Sequence, residues 1–442
     1  MPFSSLKLHP SLLRGVKELG FTRATPIQDE AIPPALAGKD VLACAMTGSG
    51  KTAAFLLPIL HALIGKPRGV TRALVLTPTR ELAAQILEDL NELAIHTPIS
   101  GAMVIGGLGM GPQEHALRSG TDVIIATPGR LLDHFRFSYA RLAGLEYLVL
   151  DEADRMLDMG FLPDIRRVLR HLPAKRQTFF FSATMPGPII TLSREMLNAP
   201  AMINLQRQSA PPQGITHAVY PVPQHLKPEL LVTLLARGEI QQALVFTRTK
   251  HRADRVAKHL VRAGVKAERI HGDRTQGQRT AALSDFKKGK CRVLVATDIA
   301  ARGIDIVELS HVVNLDVPPV SDDYIHRVGR TGRAEATGAA FTFVSPMEEE
   351  ELYGIERALG KRLPRVIVPD FNYDAAPPPR SAGSYATRRP GASGGPRRTG
   401  STTFTARADA ALPPPKPAPR TAGVGLGRRL PAGAGARSRK GR

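Results

Sequence analysis

The 442-residue sequence contains no tryptophan, only two cysteines, and aromatic residues at just 5% of its positions. Two cysteines are too few for a structural zinc site, and Cys44 and Cys291 fall in predicted strands of different halves, so neither zinc nor a disulfide is expected. The sequence also lacks the long apolar run that a membrane-spanning helix needs. Residues 1–7 do not have the charged-then-apolar layout of a secretory signal, and we therefore expect a cytoplasmic protein with no membrane contact.

Positive charge is abundant but unevenly spread. The net charge is +21, and the segment from Ala376 to Arg442 holds fourteen Lys or Arg residues against one acid, Asp409. This segment is rich in Pro, Gly, Ala, Ser and Arg and shows no apolar periodicity, so it cannot bury enough surface to offset its chain entropy. We predict that residues 371–442 form a disordered basic tail that contacts polyanions. A tail that only improves solubility is the alternative.

A glycine-rich stretch near the N-terminus predicts phosphate binding. It reads Ala45-Met46-Thr47-Gly48-Ser49-Gly50-Lys51-Thr52, and it lies between a strand-like run at 40–44 and an apolar helix start at 53–57. Strand, glycine-rich turn, Lys-Thr and helix is the context of a phosphate-binding loop, although Ala45 stands where the first glycine is usual. In such a loop the backbone N–H groups face the phosphates. Lys51 would reach the β- and γ-phosphates, and the Thr52 hydroxyl would ligate Mg²⁺.

An acidic stretch, Asp151-Glu152-Ala153-Asp154, follows the apolar run at 145–150. Ligands gather at the carboxyl ends of parallel strands, and three acids packed there need a positive partner. Mg²⁺ with nucleotide phosphates is the usual partner. The acids could instead form only a solvated helix start, but the phosphate loop upstream favours a site for a nucleotide with Mg²⁺.

Further motifs identify a family. In chain order, the sequence contains Gly20-Phe21-Thr22-Arg23-Ala24-Thr25-Pro26-Ile27-Gln28, Pro78-Thr79-Arg80-Glu81-Leu82, Gly106-Gly107, Thr127-Pro128-Gly129-Arg130, Ser182-Ala183-Thr184, Gln276-Gly277-Gln278-Arg279, residues 296–305 and His326-Arg327-Val328-Gly329-Arg330-Thr331-Gly332-Arg333. Together with the two stretches above, this pattern closely resembles the DEAD-box family of ATP-dependent RNA helicases over residues 3–370. The runs at 333–338 and 348–356 are most similar to the bacterial RhlE subgroup.

The resemblance implies two tandem RecA-like α/β domains with parallel sheets, and the alternation of strand-like and helical segments agrees. We predict an ATP-binding domain at 1–207, a linker at 208–214, a second helicase domain at 215–370, and the tail at 371–442. The second domain lacks its own phosphate loop. ATP is therefore expected in the cleft between the two domains.

Roles at the ATP site follow from chemistry and from the resemblance. Asp151 would hold Mg²⁺, and Glu152 would position and polarise the attacking water. Arg330 and Arg333 are expected to reach the phosphates from the second domain and, three residues apart, to share a helix face. The residues expected to bind ATP are Phe21, Gln28, Thr47, Gly48, Ser49, Gly50, Lys51, Thr52, Asp305, Arg330 and Arg333. Within this set Gln28 would read the adenine edge, Phe21 would stack on the base and Asp305 would contact the ribose.

Two further sets are implied by the resemblance. Residues expected to couple nucleotide state to domain closure are Ser182, Thr184 and His326. Residues expected to contact the RNA backbone are Arg80, Gly107, Thr127, Arg130, Arg279 and Thr297. Because no aromatic recognition motif is present, binding should be largely independent of sequence, with the 2′-hydroxyls favouring RNA.

The sequence thus predicts an enzyme that uses ATP and Mg²⁺ to unwind short RNA duplexes locally or to remodel RNA–protein complexes. Its partners would be single-stranded and duplex RNA, with ribosomal particles or an RNA-decay complex as further candidates. One alternative is a DNA helicase or translocase of the wider superfamily. Another is a non-enzymatic RNA chaperone that works through its basic tail, which intact Lys51, Glu152 and Arg333 argue against.

Overall fold

The structure, a computed structural model, describes residues 1–46, 48–205, 215–301, 309–331 and 338–376. The predicted linker, Thr47, Asp305, Arg333 and the tail beyond residue 376 lie outside these ranges. Within them, no helix is long and apolar enough to cross a membrane.

The first half of the chain forms a parallel sheet in the order β3-β4-β2-β5-β6-β1-β7. Its strands are β1 Val41–Cys44, β2 Ala73–Leu76, β3 Gly101–Val104, β4 Val123–Ala126, β5 Tyr147–Leu150, β6 Gln177–Ser182 and β7 Ala201–Asn204. A 3₁₀ turn at Phe3–Leu6 precedes its helices, which are α1 Pro10–Glu18, α2 Pro26–Leu36, α3 Lys51–Leu63, α4 Arg80–Leu93, α5 Met110–Arg118, α6 Pro128–Phe135, α7 Ala153–Asp158, α8 Leu162–Leu169 and α9 Gly187–Met196.

The second half forms a parallel sheet in the order β10-β11-β9-β12-β13-β8. Its strands are β8 Ile215–Pro221, β9 Ala243–Thr247, β10 Ala267–Ile270, β11 Val293–Thr297, β12 His311–Asn314 and β13 Gly338–Val344. Its helices are α10 Lys227–Ala236, α11 Lys250–Arg262, α12 Gln276–Lys287, α13 Asp298–Ala301, α14 Ser321–Val328 and α15 Glu349–Leu359, with a 3₁₀ turn at Pro346–Glu348.

Both sheets are buried on both faces, which explains the continuous apolar runs. All four residues of β2 and of β4 are buried. Along β1, Val41 and Ala43 join one apolar core and Leu42 joins the other, so helices must cover each face. The expected fold class of two parallel α/β sheets is confirmed, and helix α11 has the bounds that the sequence predicts.

Two local expectations were wrong. Cys291 lies before β11, which begins at Val293; it is buried, like Cys44, and both thiols are free. Arg330 does not lie on a helix, because α14 ends at Val328 with Gly329 as its C-cap. The argument that Arg330 and Arg333 share a helix face therefore fails.

The segment after α15 stays packed beyond residue 370. Phe371, Tyr373 and Ala375 pack against the apolar core of the second sheet. The Tyr373 hydroxyl accepts a hydrogen bond from the Val368 N–H at 2.9 Å. Contact with the second domain therefore reaches residue 375.

The topology gathers the motifs at one edge of each sheet. In the first sheet, the phosphate loop follows β1, the acidic stretch follows β5, and Ser182 ends β6 between them. Neighbouring strands lie about 4.8 Å apart, so the ends of β1 and β5 are about 10 Å apart. Both motifs can therefore reach one ligand.

Candidate functional site

The phosphate loop turns through two glycines with positive φ, Gly48 at 79° and Gly50 at 92°. Gly50 is also the N-cap of α3, so the loop leads directly into a helix N-terminus. Lys51 is 6% exposed, and its ammonium donates to the Ala45 carbonyl at 3.1 Å. Backbone N–H groups at a helix start, together with a buried ammonium, form an anion-binding site.

Beside the loop lie the carboxylates that follow β5. Asp151 is 3% exposed, and burial raises its pKa to about 6, against the opposing effect of the Lys51 charge. Glu152 adopts left-handed backbone angles, φ 52° and ψ 52°, as the N-cap of α7. Its Oε2 is buried without a hydrogen-bond partner among the described residues. A buried acid oxygen without a partner, on a residue with left-handed backbone angles, is the combination expected of a functional group.

The last acid of the stretch is satisfied differently. Asp154 Oδ2 accepts hydrogen bonds from the Thr184 N–H at 2.9 Å, the Thr184 hydroxyl at 3.1 Å and the Ala183 N–H at 3.2 Å. The Ser182 hydroxyl accepts from the Asp154 N–H at 3.2 Å and donates to the Thr184 carbonyl at 2.7 Å. The loop after β6 is thus tied to the acidic stretch.

Gln28 links the N-terminal segment to the phosphate loop. Its Oε1 accepts from the Thr25 N–H at 2.9 Å in a capping box, and its Nε2 donates to the Gly50 carbonyl at 3.0 Å. A Cβ at position 50 would lie 2.6 Å from this Nε2, so the close approach requires glycine there. Phe21 is 44% exposed, with its ring stacked near Phe3 at 6.3 Å between centroids. Gln28 therefore contacts the loop directly, whereas the contact shown for the Phe21 ring is with Phe3.

A small pocket lies between the two halves of the chain, next to helix α7, which follows the acidic stretch. Arg155 of α7 and Asp323 of α14 form an ion pair at 3.6 Å across the two domains. His326 and Arg330 line the same pocket, and Arg330 is 4% exposed. Arg155 follows Glu152 by three residues, so Arg330 shares this pocket with a residue about one helical turn from the acidic stretch.

A second contact between the halves involves residues predicted to bind RNA. Glu81 accepts from Arg279 Nη2 at 2.8 Å and from Gln276 Nε2 at 3.0 Å. Arg80 donates to Gln276 Oε1 at 3.4 Å. Arg279 is 8% exposed, and burial lowers the pKa of its guanidinium. The predicted RNA role of Arg279 stays a prediction, and here its charge is paired with the first domain.

The remaining predicted RNA residues lie at the ends of strands or in the turns and helix starts that follow them. Gly107, with φ 83°, passes so close to Arg80 that a Cβ there would collide with Arg80 Nη1. Thr127 is the N-cap of α6. Arg130 in the first turn of that helix donates to the Leu108 carbonyl at 3.4 Å. Thr297 ends β11 of the second sheet.

Sequence reasoning did not single out Asp154, Glu81, Arg155 or Asp323. The three-acid packing argument held a signal for Asp154, because a buried acid without a cation needs several donors. Glu81 and Arg155 each pair with a residue far away in the chain, and no local sequence pattern predicts either pair. Among the described residues, no group of three or more His, Cys, Asp or Glu side chains is placed to hold a metal by itself.

Comparison with known families gives two matches. Residues 25–192 match the DEAD/DEAH box helicase model, and residues 226–335 match the helicase conserved C-terminal domain. The ATP-dependent RNA helicase CshA of Listeria monocytogenes is 42% identical over 370 residues, which cover 84% of this chain and 71% of CshA. The DEAD-box ATP-dependent RNA helicase RhpA of Helicobacter pylori is 42% identical over 84% of this chain and 75% of its own length.

Solved structures agree on the fold. S. cerevisiae Dbp5 bound to RNA and ADP BeF3 superposes with a TM-score of 0.76 at 31% identity, covering 83% of this chain and 95% of Dbp5. Mss116p bound to ssRNA and AMP-PNP gives a TM-score of 0.75 at 26% identity, covering 83% of this chain and 80% of that one. The RecA-like fold expected for the two halves is confirmed.

Proposed function

This chain belongs to the DEAD-box family of ATP-dependent RNA helicases, and on that premise we propose that its ATP is hydrolysed in the cleft where the phosphate loop, the acidic stretch and Arg330 meet. The chain is an RNA-dependent ATPase. The observation that carries the proposed site is the buried Oε2 of Glu152, which has no partner among the described residues and belongs to the same charged cluster as Asp151 and Lys51.

The phosphates lie on the loop from Gly48 to Thr52, and Lys51 neutralises the β- and γ-phosphates. Asp151 and the Thr52 hydroxyl are suited to Mg²⁺, because a buried carboxylate with a raised pKa gains from a nearby cation. Mg²⁺ would supply positive charge to the phosphate oxygens. The requirement for this metal is part of the proposal.

Glu152 positions the attacking water and accepts its proton. The Oε2 is available because the hydrogen bonds of Glu152 among the described residues are made by its backbone: the N–H donates to Asp151 Oδ1 at 3.0 Å, and the carbonyl accepts from the N–H groups of Arg155 and Met156. Arg330 and Arg333 stabilise the charge that develops on the phosphate. Arg330 acts from the second domain, so hydrolysis requires the two domains to be together.

Coupling runs through Asp154. When ATP binding or hydrolysis shifts the acidic stretch, the loop after β6 should shift with it, because Ala183 and Thr184 donate three hydrogen bonds to Asp154. His326 and Arg330 line the cleft that faces Arg155. The domain contacts at Glu81 and Asp323 then form or break as the cleft closes or opens, which bends a bound strand and separates a short duplex.

RNA crosses both domains over Arg80, Gly107, Thr127, Arg130, Arg279 and Thr297. Glycine, hydroxyl and arginine at strand ends suit a phosphate backbone, which carries no base information. The contact is therefore largely independent of sequence. Arg279 contributes mainly by holding Glu81 and the domain contact in place.

Gln28 and Phe21 give the preference for ATP. The Gln28 amide uses one acceptor and one donor position on Thr25 and Gly50, which leaves one of each for an adenine edge. Replacing Gln28 by Ala should raise the KM for ATP by about tenfold, as expected for the loss of one or two neutral hydrogen bonds. Steady-state rates with ATP, GTP and UTP at saturating RNA measure this. Equal efficiency with ATP and GTP in the unaltered protein would remove the adenine-reading role.

We propose the subgroup, the cellular location and the RNA targets of this protein from its sequence. The runs at 333–338 and 348–356 support an RhlE-like placement, while the relatives reported above are CshA and RhpA proteins. We also propose a cytoplasmic protein that acts on ribosomal particles or within an RNA-decay complex. Crosslinking in cells followed by RNA sequencing tests these targets, and a target set without ribosomal or messenger RNA would contradict them.

The basic tail is proposed to tether the enzyme to RNA. We propose domains at 1–207 and 215–370, and a truncation must spare the packed residues up to 375. Removing 377–442 should make the slope of log K against log salt shallower by about 3.5, if about five phosphates are neutralised at 0.7 each. The KM for RNA should rise while kcat stays constant. Identical salt slopes for both proteins would leave only a solubility role.

A further inference from the structure

A groove on the first domain lies outside the nucleotide cleft and the RNA face. It has a volume of about 660 Å³ and lies between the C-terminal ends of α6 and α8 and the loop that follows α6. Its main lining residues are Phe135, Arg136, Phe137, Arg141, Arg170 and His171. The proposed reaction uses none of these residues.

The groove carries unbalanced positive charge. Arg136, Arg141 and Arg170 are exposed, and none of them pairs with an acid among the described residues. Arg167 beside them is paired with Asp164 at 3.1 Å, and no Asp or Glu lines the groove. Three unpaired guanidinium groups around one groove are suited to a polyanion.

The groove also presents aromatic faces. Phe137 is 52% exposed, and its ring lies parallel to that of Tyr139, with 7° between the planes and 5.4 Å between centroids. Phe135 stacks on His171 at 4.6 Å. Exposed rings beside unpaired arginines are the features on which successive bases of a single strand stack.

Its position favours RNA over an acidic peptide. Helix α6, whose N-cap is Thr127, starts at the RNA face and ends at the groove, and Arg118 at the end of α5 lies 4.6 Å from the Tyr139 ring beside it. Arg130 and Arg136 are six residues apart along the α6 segment, a rise of about 9 Å. A strand that leaves the RNA face beside Arg130 can therefore continue into the groove.

We propose that this groove binds single-stranded RNA that extends beyond the nucleotides held between the two domains. The inference rests on the RNA face proposed above. Bases stack on Phe137, and the arginines neutralise the phosphates between them. The groove thus anchors the flanking strand while the domains separate the duplex.

The test compares two RNAs on the full chain. One is a short oligouridine that saturates ATP turnover, and the other is the same RNA extended at either end by about six uridines. The variants are Phe137→Ala and the double change Arg136→Glu with Arg170→Glu. The double change Arg255→Glu with Arg262→Glu on α11 is the matched control, because both arginines are exposed and lie on the other domain.

We expect the extension to tighten binding of the unaltered protein. Phe137→Ala should weaken binding of the extended RNA by at least about fivefold, the lower end for one stacked base, without changing the short RNA. The double change at 136 and 170 should make the salt slope on the extended RNA shallower by about 1.4.

Three results would overturn the proposal. The extension could give no gain in affinity, the variants could weaken both RNAs equally, or a polyglutamate peptide could bind the groove where the uridine extension does not. If the short RNA itself fails to stimulate ATP turnover in the unaltered protein, the RNA face is wrong, which is a separate failure.

Discussion

Replacing Glu152 by Gln should lower kcat for ATP hydrolysis by about 10² or more while leaving ATP binding intact. The amide has the shape of the carboxylate but cannot accept the proton of the attacking water. The position itself should tolerate the change, because the hydrogen bonds of Glu152 among the described residues are made by its backbone N–H and carbonyl and not by its carboxylate. Single-turnover hydrolysis and nucleotide binding, measured at saturating RNA, separate the two effects.

Glu146→Gln is the matched control for this variant. Glu146 precedes β5 at the opposite edge of the same sheet, where it pairs with Arg72 at 2.6 Å, far from the phosphate loop. It undergoes the same loss of charge and should keep its turnover. If Glu152→Gln still turns over ATP at the unaltered rate, Glu152 does not activate water.

Replacing Arg330 by Ala should lower kcat by about 10³, the lower end of the range for an arginine finger. Arg330 is buried in the cleft that Arg155 closes from the first domain, so its charge can act on phosphate only when both domains contribute. Arg330→Lys should restore little, because an ammonium lacks the planar fork of the guanidinium.

The control for Arg330 is Arg357→Ala on α15, an exposed arginine away from the cleft. Rapid-quench hydrolysis at saturating ATP and RNA measures kcat for each protein. An unchanged kcat for Arg330→Ala would place this residue outside the active site. If Arg330→Ala weakens ATP binding without lowering kcat, Arg330 binds ATP before the reaction and does not stabilise the transition state.

Much of the fold could be predicted from the sequence, because buried parallel strands produce apolar runs with recognisable ends. The runs at β2, β4 and β5 are examples, and Gly48 and Gly50 adopt the positive φ that the loop requires. The phosphate and acidic motifs then fall at one edge because all strands of the sheet are parallel.

The contacts between the domains could not be predicted. The ion pairs Glu81–Arg279 and Arg155–Asp323 join residues more than 160 positions apart. From the sequence alone, many other acids could equally have been the partners of Arg279 and Arg155. The helix-face argument for Arg330 was wrong because spacing alone cannot show that α14 ends at Val328, with Gly329 as its C-cap. The hydrogen bonds of Asp154 are also set by tertiary packing, since they come from the loop after β6.

Nucleic-acid stimulation of ATP turnover tests the central claim most directly. The full chain is assayed at saturating ATP with single-stranded RNA and with DNA of the same sequence and length. We expect strong stimulation by RNA and little by DNA, because 2′-hydroxyl contacts distinguish the two. Equal stimulation by DNA would indicate a DNA translocase, and no stimulation by either would contradict coupling between the RNA face and the ATP cleft.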